Sequence, residues 1–481
     1  MNVWIVMRLL GFLLLFPGIF MGLCLILALF FGEYTAVNSL GWSTGIVIIL
    51  ALSFYFSGNA SRESIYRREA LVVVGVGWIL SCLLGSLPYL FGGFISDVPS
   101  AIFESVSGFT TTGATVISDI DTLPRSILFW RMLTHWLGGM GIIVLFVAIF
   151  PQMAGGAKQM FRSEVPGPVA EGLRPKIKET ALALWKIYIF LTLAETGLLI
   201  FAGMSVFDAF CHSISTIATG GFSTRNGSIG EYDSPFIEVI IIAFMLIAGT
   251  NFGLFYALLK DRVWLIFKNA EFRSYVGIIV LVSLAIYLSI YNQNDGHLTS
   301  LRHSVFQTIS VMTGTGLCTD DFGSYPAVGK ALLVCLMFVG GCAGSTSGGL
   351  KVSRVIVVFK IAYQEIIHVF RPQVRMSVRI GHSVVENEVV YSILVFVLSF
   401  IFIVSIGTIF MASLGLDVTT AFSSVVACLA NVGPGLDGVG PQETYKNTPA
   451  IGKIFLSVLM LLGRLELGAF LALFVPGFWR R

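Results

Sequence analysis

The sequence predicts an all-α integral membrane protein: an N-terminal two-helix hairpin, then four pseudo-symmetric units of span, pore loop and span around a central pore. Three observations point there. Of 481 residues, 56% are hydrophobic and only 12% charged, half the ~25% typical of soluble chains, and mean hydropathy is +0.87. Ten apolar runs can be marked along the chain, most of them near the ~20 residues that cross a bilayer. Between alternate pairs of runs lie four similar segments rich in Ser, Thr and Gly, the mark of an internal repeat.

The first run, Met7 to Phe31, lacks an A-x-A cleavage pattern and is followed directly by a second, Trp42 to Phe56. A signal peptide has an apolar region of about 7–15 residues, so this is read as a retained hairpin, residues 1–57. Eight further runs lie near 70–92, 127–150, 182–204, 235–258, 274–291, 328–350, 391–414 and 450–475. They delimit four units, 70–150, 181–258, 274–360 and 391–476.

The short segments align as Phe103 to Gly113, Phe210 to Gly220, Phe306 to Gly316 and Phe422 to Gly433, with a Phe-to-Gly offset of ten in the first three and eleven in the fourth. The run after each also repeats: Trp136-L-G-G-M-G, Met245-L-I-A-G-T-N-F-G, Met337-F-V-G-G-C-A-G and Met460-L-L-G-R-L-E-L-G.

With the N-terminus in the cytoplasm, 22 of the 30 Lys and Arg fall inside, seven outside, and Arg464 within a span, as the positive-inside rule expects. All four loops then enter from the outside. That outer face carries 15 acidic residues, among them Glu104, Asp119, Asp121, Asp208, Asp233, Asp320, Asp321, Asp417 and Asp437, for a net of −8. Such a field would concentrate cations at the mouth; the alternative is a merely solvated surface.

Other chemistry finds little support. The seven cysteines form no C-x-x-C pair and the six histidines no H-E-x-x-H spacing, so a metal enzyme is not indicated. The near-balanced charge, 30 basic against 27 acidic, argues against nucleic acid. An intramembrane enzyme would need paired catalytic groups at depth, and a secondary symporter would show interruptions in two inverted halves where this chain shows four like-directed units.

Non-helical backbone at membrane depth must be buried or line a water-filled cavity. Four Gly- and Thr-rich loops meeting at one axis can present carbonyls that replace the hydration shell of a monovalent cation. A calcium site would want several carboxylates. Taken singly, each glycine is better explained by close helix packing; it is four loops at matching places that favour the pore.

These residues resemble a known family, the TrkH/TrkG branch of bacterial potassium-uptake proteins, akin to KtrB and plant HKT transporters. The likeness spans nearly the whole chain and rests on Thr110-T-T-G-A-Thr115, His135-W-L-G-G-M-G-Ile142, Ala218-T-G-G-F-S-Thr224, Gly340-G-C-A-G-S-T-S-G-G-L-K-Val352, Asn431-V-G-P-Gly435 and Gly463-R-L-Glu466. The N-terminal hairpin looks like TrkH. The resemblance implies a potassium filter built from Thr111, Thr112 and Gly113; Ala218, Thr219 and Gly220; Gly314, Thr315 and Gly316; and Asn431, Val432 and Gly433. In the family a Ser at the first filter glycine goes with sodium preference, so Gly113 points to potassium.

Gly340 to Gly349 is a run of poor helix propensity inside a span. The likeness makes Gly340, Gly341, Gly344, Ser345, Thr346, Ser347, Gly348 and Gly349 an intramembrane gating loop; a Gly-rich packing kink is the alternative. An arginine inside a span costs about 2.5–3.5 kcal/mol on insertion scales. By resemblance Arg464 projects into the pore beneath the filter and repels cations; otherwise it forms a structural ion pair with Glu195 or Glu466. The cytoplasmic loops 151–180, 259–273 and 351–390 carry no nucleotide-binding motif. The resemblance implies a separate cytosolic nucleotide-binding subunit like TrkA, a homodimer in the bacterial inner membrane, no covalently bound cofactor, and K+ ions in the filter with Rb+ also admitted. It leaves open whether uptake follows the membrane potential alone or is a symport with protons or sodium.

Overall fold

The computed structural model describes residues 1–58, 67–141, 177–258, 264–291, 296–373, 377–381, 383–465 and 475–479. The hairpin is α1 (Val3–Phe31) and α2 (Tyr34–Ser57). It turns at Gly32, whose φ is +70°, and its arms pack closely: Gly11 faces backbone at Ala51 and Tyr55, and Gly18 faces Val47. Small residues at such crossings let helices approach where lipid offers no hydrophobic drive.

The first unit runs from α3 (Arg67–Gly85) through a short α4 (Leu87–Phe91) and a half-helix α5 (Val98–Phe109) to α6 (Arg125–Gly139). The second comprises α7 (Ile177–Phe201), the half-helix α8 (Val206–Ile217), α9 (Pro235–Ala248) and α10 (Phe252–Leu258). A short α11 (Trp264–Lys268) leads into the third: α12 (Ala270–Ile290), the half-helix α13 (His297–Thr313), α14 (Ala327–Val339) and α15 (Val352–Phe370). Two short antiparallel strands, β1 (Arg379–Ile380) and β2 (Ser383–Val384), precede the fourth: α16 (Asn387–Ser413), the half-helix α17 (Val418–Leu429) and α18 (Ala450–Arg464), with α19 (Pro476–Trp479) last.

Local chemistry sets where these elements start. Three half-helices begin at a side-chain cap: Asp97 accepts from the Ser100 N–H, Ser205 from Asp208 and Asp417 from Thr420, each satisfying an otherwise orphaned donor. The helix after each loop starts at a proline: Pro124, Pro326 and Pro449 at the cap, and Pro235 at the first helical position. Proline fits there because its missing N–H has no partner to lose.

The half-helices pack cyclically. Each of α8, α13 and α17 lies on the post-loop helix of the preceding unit, respectively α6, α9 and α14, while α5 of the first unit lies on α18 of the last. Outward-facing Phe30, Trp42, Phe201, Leu281 and Ile409 are exposed, as expected of a surface solvated by hydrocarbon rather than water.

Among the described residues, six helices are long and apolar enough to cross a membrane, against ten expected runs. The shortfall lies in the post-loop spans. Helix α9 breaks at Gly249 and resumes at Phe252, and α14 ends at Val339, with helix resuming only at Val352. The ends of the runs 127–150 and 450–475, and the loop 151–180 as far as residue 176, fall outside the described residues.

Candidate functional site

Each half-helix ends in a three-residue turn of the same hydrogen-bond pattern. The amides of Thr112, Gly220, Thr315 and Val432 donate to carbonyls five residues back, at Ser107, Ser215, Ser310 and Ala427. The residues before them, Thr111, Thr219, Gly314 and Asn431, have φ of 54°, 54°, 69° and 53°. Those after them, Gly113, Gly221, Gly316 and Gly433, have φ of 81°, 89°, 75° and 96°. Left-handed backbone costs a non-glycine residue about 1–2 kcal/mol, so Thr111, Thr219 and Asn431 mark positions where the surroundings impose the conformation.

This register corrects one expectation. In the second loop the glycine matching Gly113 is Gly221, so the offset from Phe210 is eleven as in the fourth loop, and Ala218 is the helix cap matching Thr110 and Ala430. Two adjacent glycines hid the shift.

The four turns form a closed ring. A Cβ added at Gly113 would overlap the carbonyl oxygen of Gly220; one at Gly221 would overlap that of Thr315; at Gly316, that of Val432; at Gly433, that of Thr112. Glycine is required at each by both close approach and positive φ. In loops one and three, hydroxyl pairs hold the turn, Thr110 with Thr112 at 2.8 Å and Thr313 with Thr315 at 2.7 Å. Asn431 of loop four donates instead to Thr112 Oγ1 at 2.9 Å and to the Met460 carbonyl at 3.0 Å.

Behind the ring stands a buried ion pair that the sequence reading missed. Glu104 and Arg131 are fully buried and 2.9 Å apart. Glu104 also accepts from Thr115 Oγ1 at 3.0 Å and the Val116 N–H at 2.9 Å, while Arg131 covers the Phe222 ring at 4.0 Å. His135 donates from Nδ1 to the Gly108 carbonyl at 2.7 Å, and its Nε2 accepts from the Phe222 N–H at 3.2 Å. Loops one and two are thus braced together, and Glu104 is part of the interior rather than of an acidic outer surface.

One cavity opens above the ring, reaching Gly113, Gly221, Gly316 and Gly433. A second lies below, lined by Gly344 to Gly349, Asn431 and Arg464. The segment 340–351 contains no helix and has positive φ at Gly340, Gly344, Gly349 and Lys351. It tucks under the half-helix ends: Thr346 Oγ1 donates to the Ile217 carbonyl at 3.1 Å, and Gly348 lies against the Ala430 carbonyl. The break between α9 and α10 holds its other side, Cys342 N–H donating to the Gly249 carbonyl and Phe252 N–H to that of Gly344.

Arg464 is the last residue of α18. It donates to the Thr346 carbonyl at 2.7 Å and to those of Gly138 and Gly139 at 2.6 Å each, tying the segment below the ring to the end of α6. Its hydrogen bonds go to these backbone carbonyls and not to Glu195, whose buried carboxyl faces the Thr216 hydroxyl instead. Glu466 lies outside the described residues.

Comparison with known proteins decides the family. The sequence model of the TrkH family, described as a cation transport protein, matches residues 41–480. The chain belongs to the TrkH family. It is 39% identical to the Trk system potassium uptake protein TrkH of Salmonella typhimurium, over 90% of this chain and 91% of the relative. It is 37% identical to the TrkH of Halomonas elongata over the whole of both chains, and 33% to the TrkG of Escherichia coli over 89% and 88%. The crystal structure of the potassium transporter TrkH from Vibrio parahaemolyticus superposes with a TM-score of 0.90 at 34% identity, each chain fully covered. These are transporters, and the TrkH-family chain is likewise no enzyme.

On this TrkH-family scaffold the structure brings all twelve expected ring residues to the four turns or, for Ala218, to the cap beside one. Six of the eight expected loop residues, Gly344 to Gly349, come together with Arg464 beneath them, and the other two pack behind these, Gly340 against Gly348 and Gly341 donating its N–H to Ser347 Oγ. Sequence reading gave no bracing role to Glu104, Arg131, His135 or Glu271. The first two carried a usable signal, a lone Arg inside an apolar run with a carboxylate in the preceding half-helix, because a charge at depth demands a partner.

Proposed function

We propose that this chain is a potassium-uptake subunit whose ring of four turns is the selectivity filter. Cyclic closure of the ring carries the reading: each glycine meets the carbonyl of the next loop, with one cavity above and one below. The residues on either side of each middle residue have positive φ, and a set of backbone carbonyls can replace an ion's hydration shell while holding it weakly enough to leave. The ligands are drawn from Thr111, Thr112 and Gly113; Thr219, Gly220 and Gly221 with Ala218 behind them; Gly314, Thr315 and Gly316; and Asn431, Val432 and Gly433. Four half-helix C-termini end at the ring, and their dipoles favour a cation there. The names of the relatives support potassium as the cargo.

The segment 340–349 acts as the gate, and Arg464 holds it beneath the filter. The positive cytoplasmic linkers suit an inner-membrane protein with its N-terminus inside. The absence of a nucleotide motif fits regulation by a separate cytosolic nucleotide-binding subunit of the TrkA kind, acting on a homodimer, with K+ in the filter and no covalent cofactor.

The test is rubidium-tracer uptake into liposomes holding the purified protein, with potassium or sodium competing at equal concentration. Strong competition by potassium and little by sodium is expected. Equal competition removes the potassium assignment, and no uptake by protein supplied with its activating subunit removes the pore.

A further inference from the structure

Glu271 is the second residue of α12 and is 6% exposed. Its Oε1 accepts from the Ala343 N–H at 2.7 Å and from the Ser353 N–H at 3.2 Å. Ala343 lies in the non-helical segment beneath the ring, and Ser353 lies in the first turn of α15 just beyond it. One atom therefore holds both the first half of the segment and the helical turn that follows it. Between these two residues the backbone takes positive φ at Gly344, Gly349 and Lys351, so no regular structure of its own fixes its place. Backbone donors at membrane depth must find acceptors within the protein. If the segment left the space below the ring while α12 stayed, both amides would lose their acceptor and a buried carboxylate its donors, the most costly hydrogen bonds to leave unmade.

We propose that Glu271 is a positioning residue that anchors the intramembrane segment in its occluding position under the ring. This rests on reading 340–349 as the gate. Glu271 touches no ion; it acts through Ala343 and Ser353, and its loss favours the open state.

The experiment measures rubidium influx into liposomes for Glu271→Ala and Glu271→Gln, each in the full chain and in a chain lacking 343–348. In the full chain, Glu271→Ala should raise influx without the cytosolic subunit by roughly tenfold, the scale of one charge-assisted hydrogen bond lost from the closed state. Glu271→Gln keeps an oxygen acceptor for both amides but not its charge, and should raise influx clearly less than Glu271→Ala. In the deleted chain neither substitution should matter further. A deletion that raises influx while Glu271→Ala does not overturns the anchor alone. So does a Glu271→Gln that matches Glu271→Ala, or an equal fall in influx in both backgrounds, which marks a purely structural residue. A deletion without effect overturns the gate reading and the anchor with it.

Discussion

Gly433 lies against the carbonyl oxygen of Thr112, so the last of the four turns closes directly on the first. Any side chain at one of the four ring glycines must push the neighbouring loop's carbonyl out of place. Gly113, pressed on the Gly220 carbonyl at φ 81°, is the clearest probe. Gly113→Ser should lower potassium preference over sodium by about tenfold, ~1.4 kcal/mol of relative binding. Rubidium uptake with each ion as competitor measures it, and unchanged selectivity in a folded variant would remove Gly113 from the filter.

The Glu104–Arg131 pair predicts a stability effect distinct from selectivity. Removing one partner of a buried pair leaves an uncompensated charge and costs about 3–5 kcal/mol. Arg131→Met alone should therefore lower the unfolding temperature in detergent sharply, whereas Glu104→Gln with Arg131→Met should recover much of the loss. If the double variant is as unstable as the sum of the single ones, the two side chains are not coupled.

Much of this architecture was legible because the bilayer imposes strong rules. Apolar runs gave the long helices, and the Gly-rich stretch at 340–349 gave the break, since such a sequence cannot sustain helix. What the sequence hid was local. Gly220 and Gly221 are indistinguishable by spacing, and only backbone dihedrals reveal which one matches Gly113. Glu104 read as an outer-surface carboxylate because its partner Arg131 sits 27 positions away on another helix. Glu271 read as part of a cytoplasmic linker, since nothing near it in sequence announces Ala343 and Ser353 as its donors.

The caps of the half-helices predict a pH dependence. Thr420, through its side chain and its N–H, holds the Asp417 carboxyl below the usual carboxylate range. A folded pKa depressed in this way contributes stability that is complete above the unfolded value of about 3.9 and is lost as pH falls through the folded value. Asp417→Ala should cost about 1 kcal/mol near neutrality. The gap in unfolding temperature between parent and variant should narrow once pH drops below about 4; a gap that stays constant with pH would mean the cap acts without its charge.

Arg464 sets the last prediction. Its guanidinium fork reaches three carbonyls at once, at Thr346, Gly138 and Gly139, and so both places positive charge below the ring and ties the 340–351 segment to α6. Arg464→Ala removes the charge and the tie together, and rubidium influx in liposomes should rise. Arg464→Lys keeps the charge but offers a compact ammonium in place of the planar fork, so it cannot span the same three acceptors, and influx should fall between the two. If the lysine variant matches the parent, charge alone restrains the ion; if it matches the alanine variant, the tie does. A folded Arg464→Ala protein with reduced influx would mean that the arginine serves to assemble the pore rather than to hold it shut.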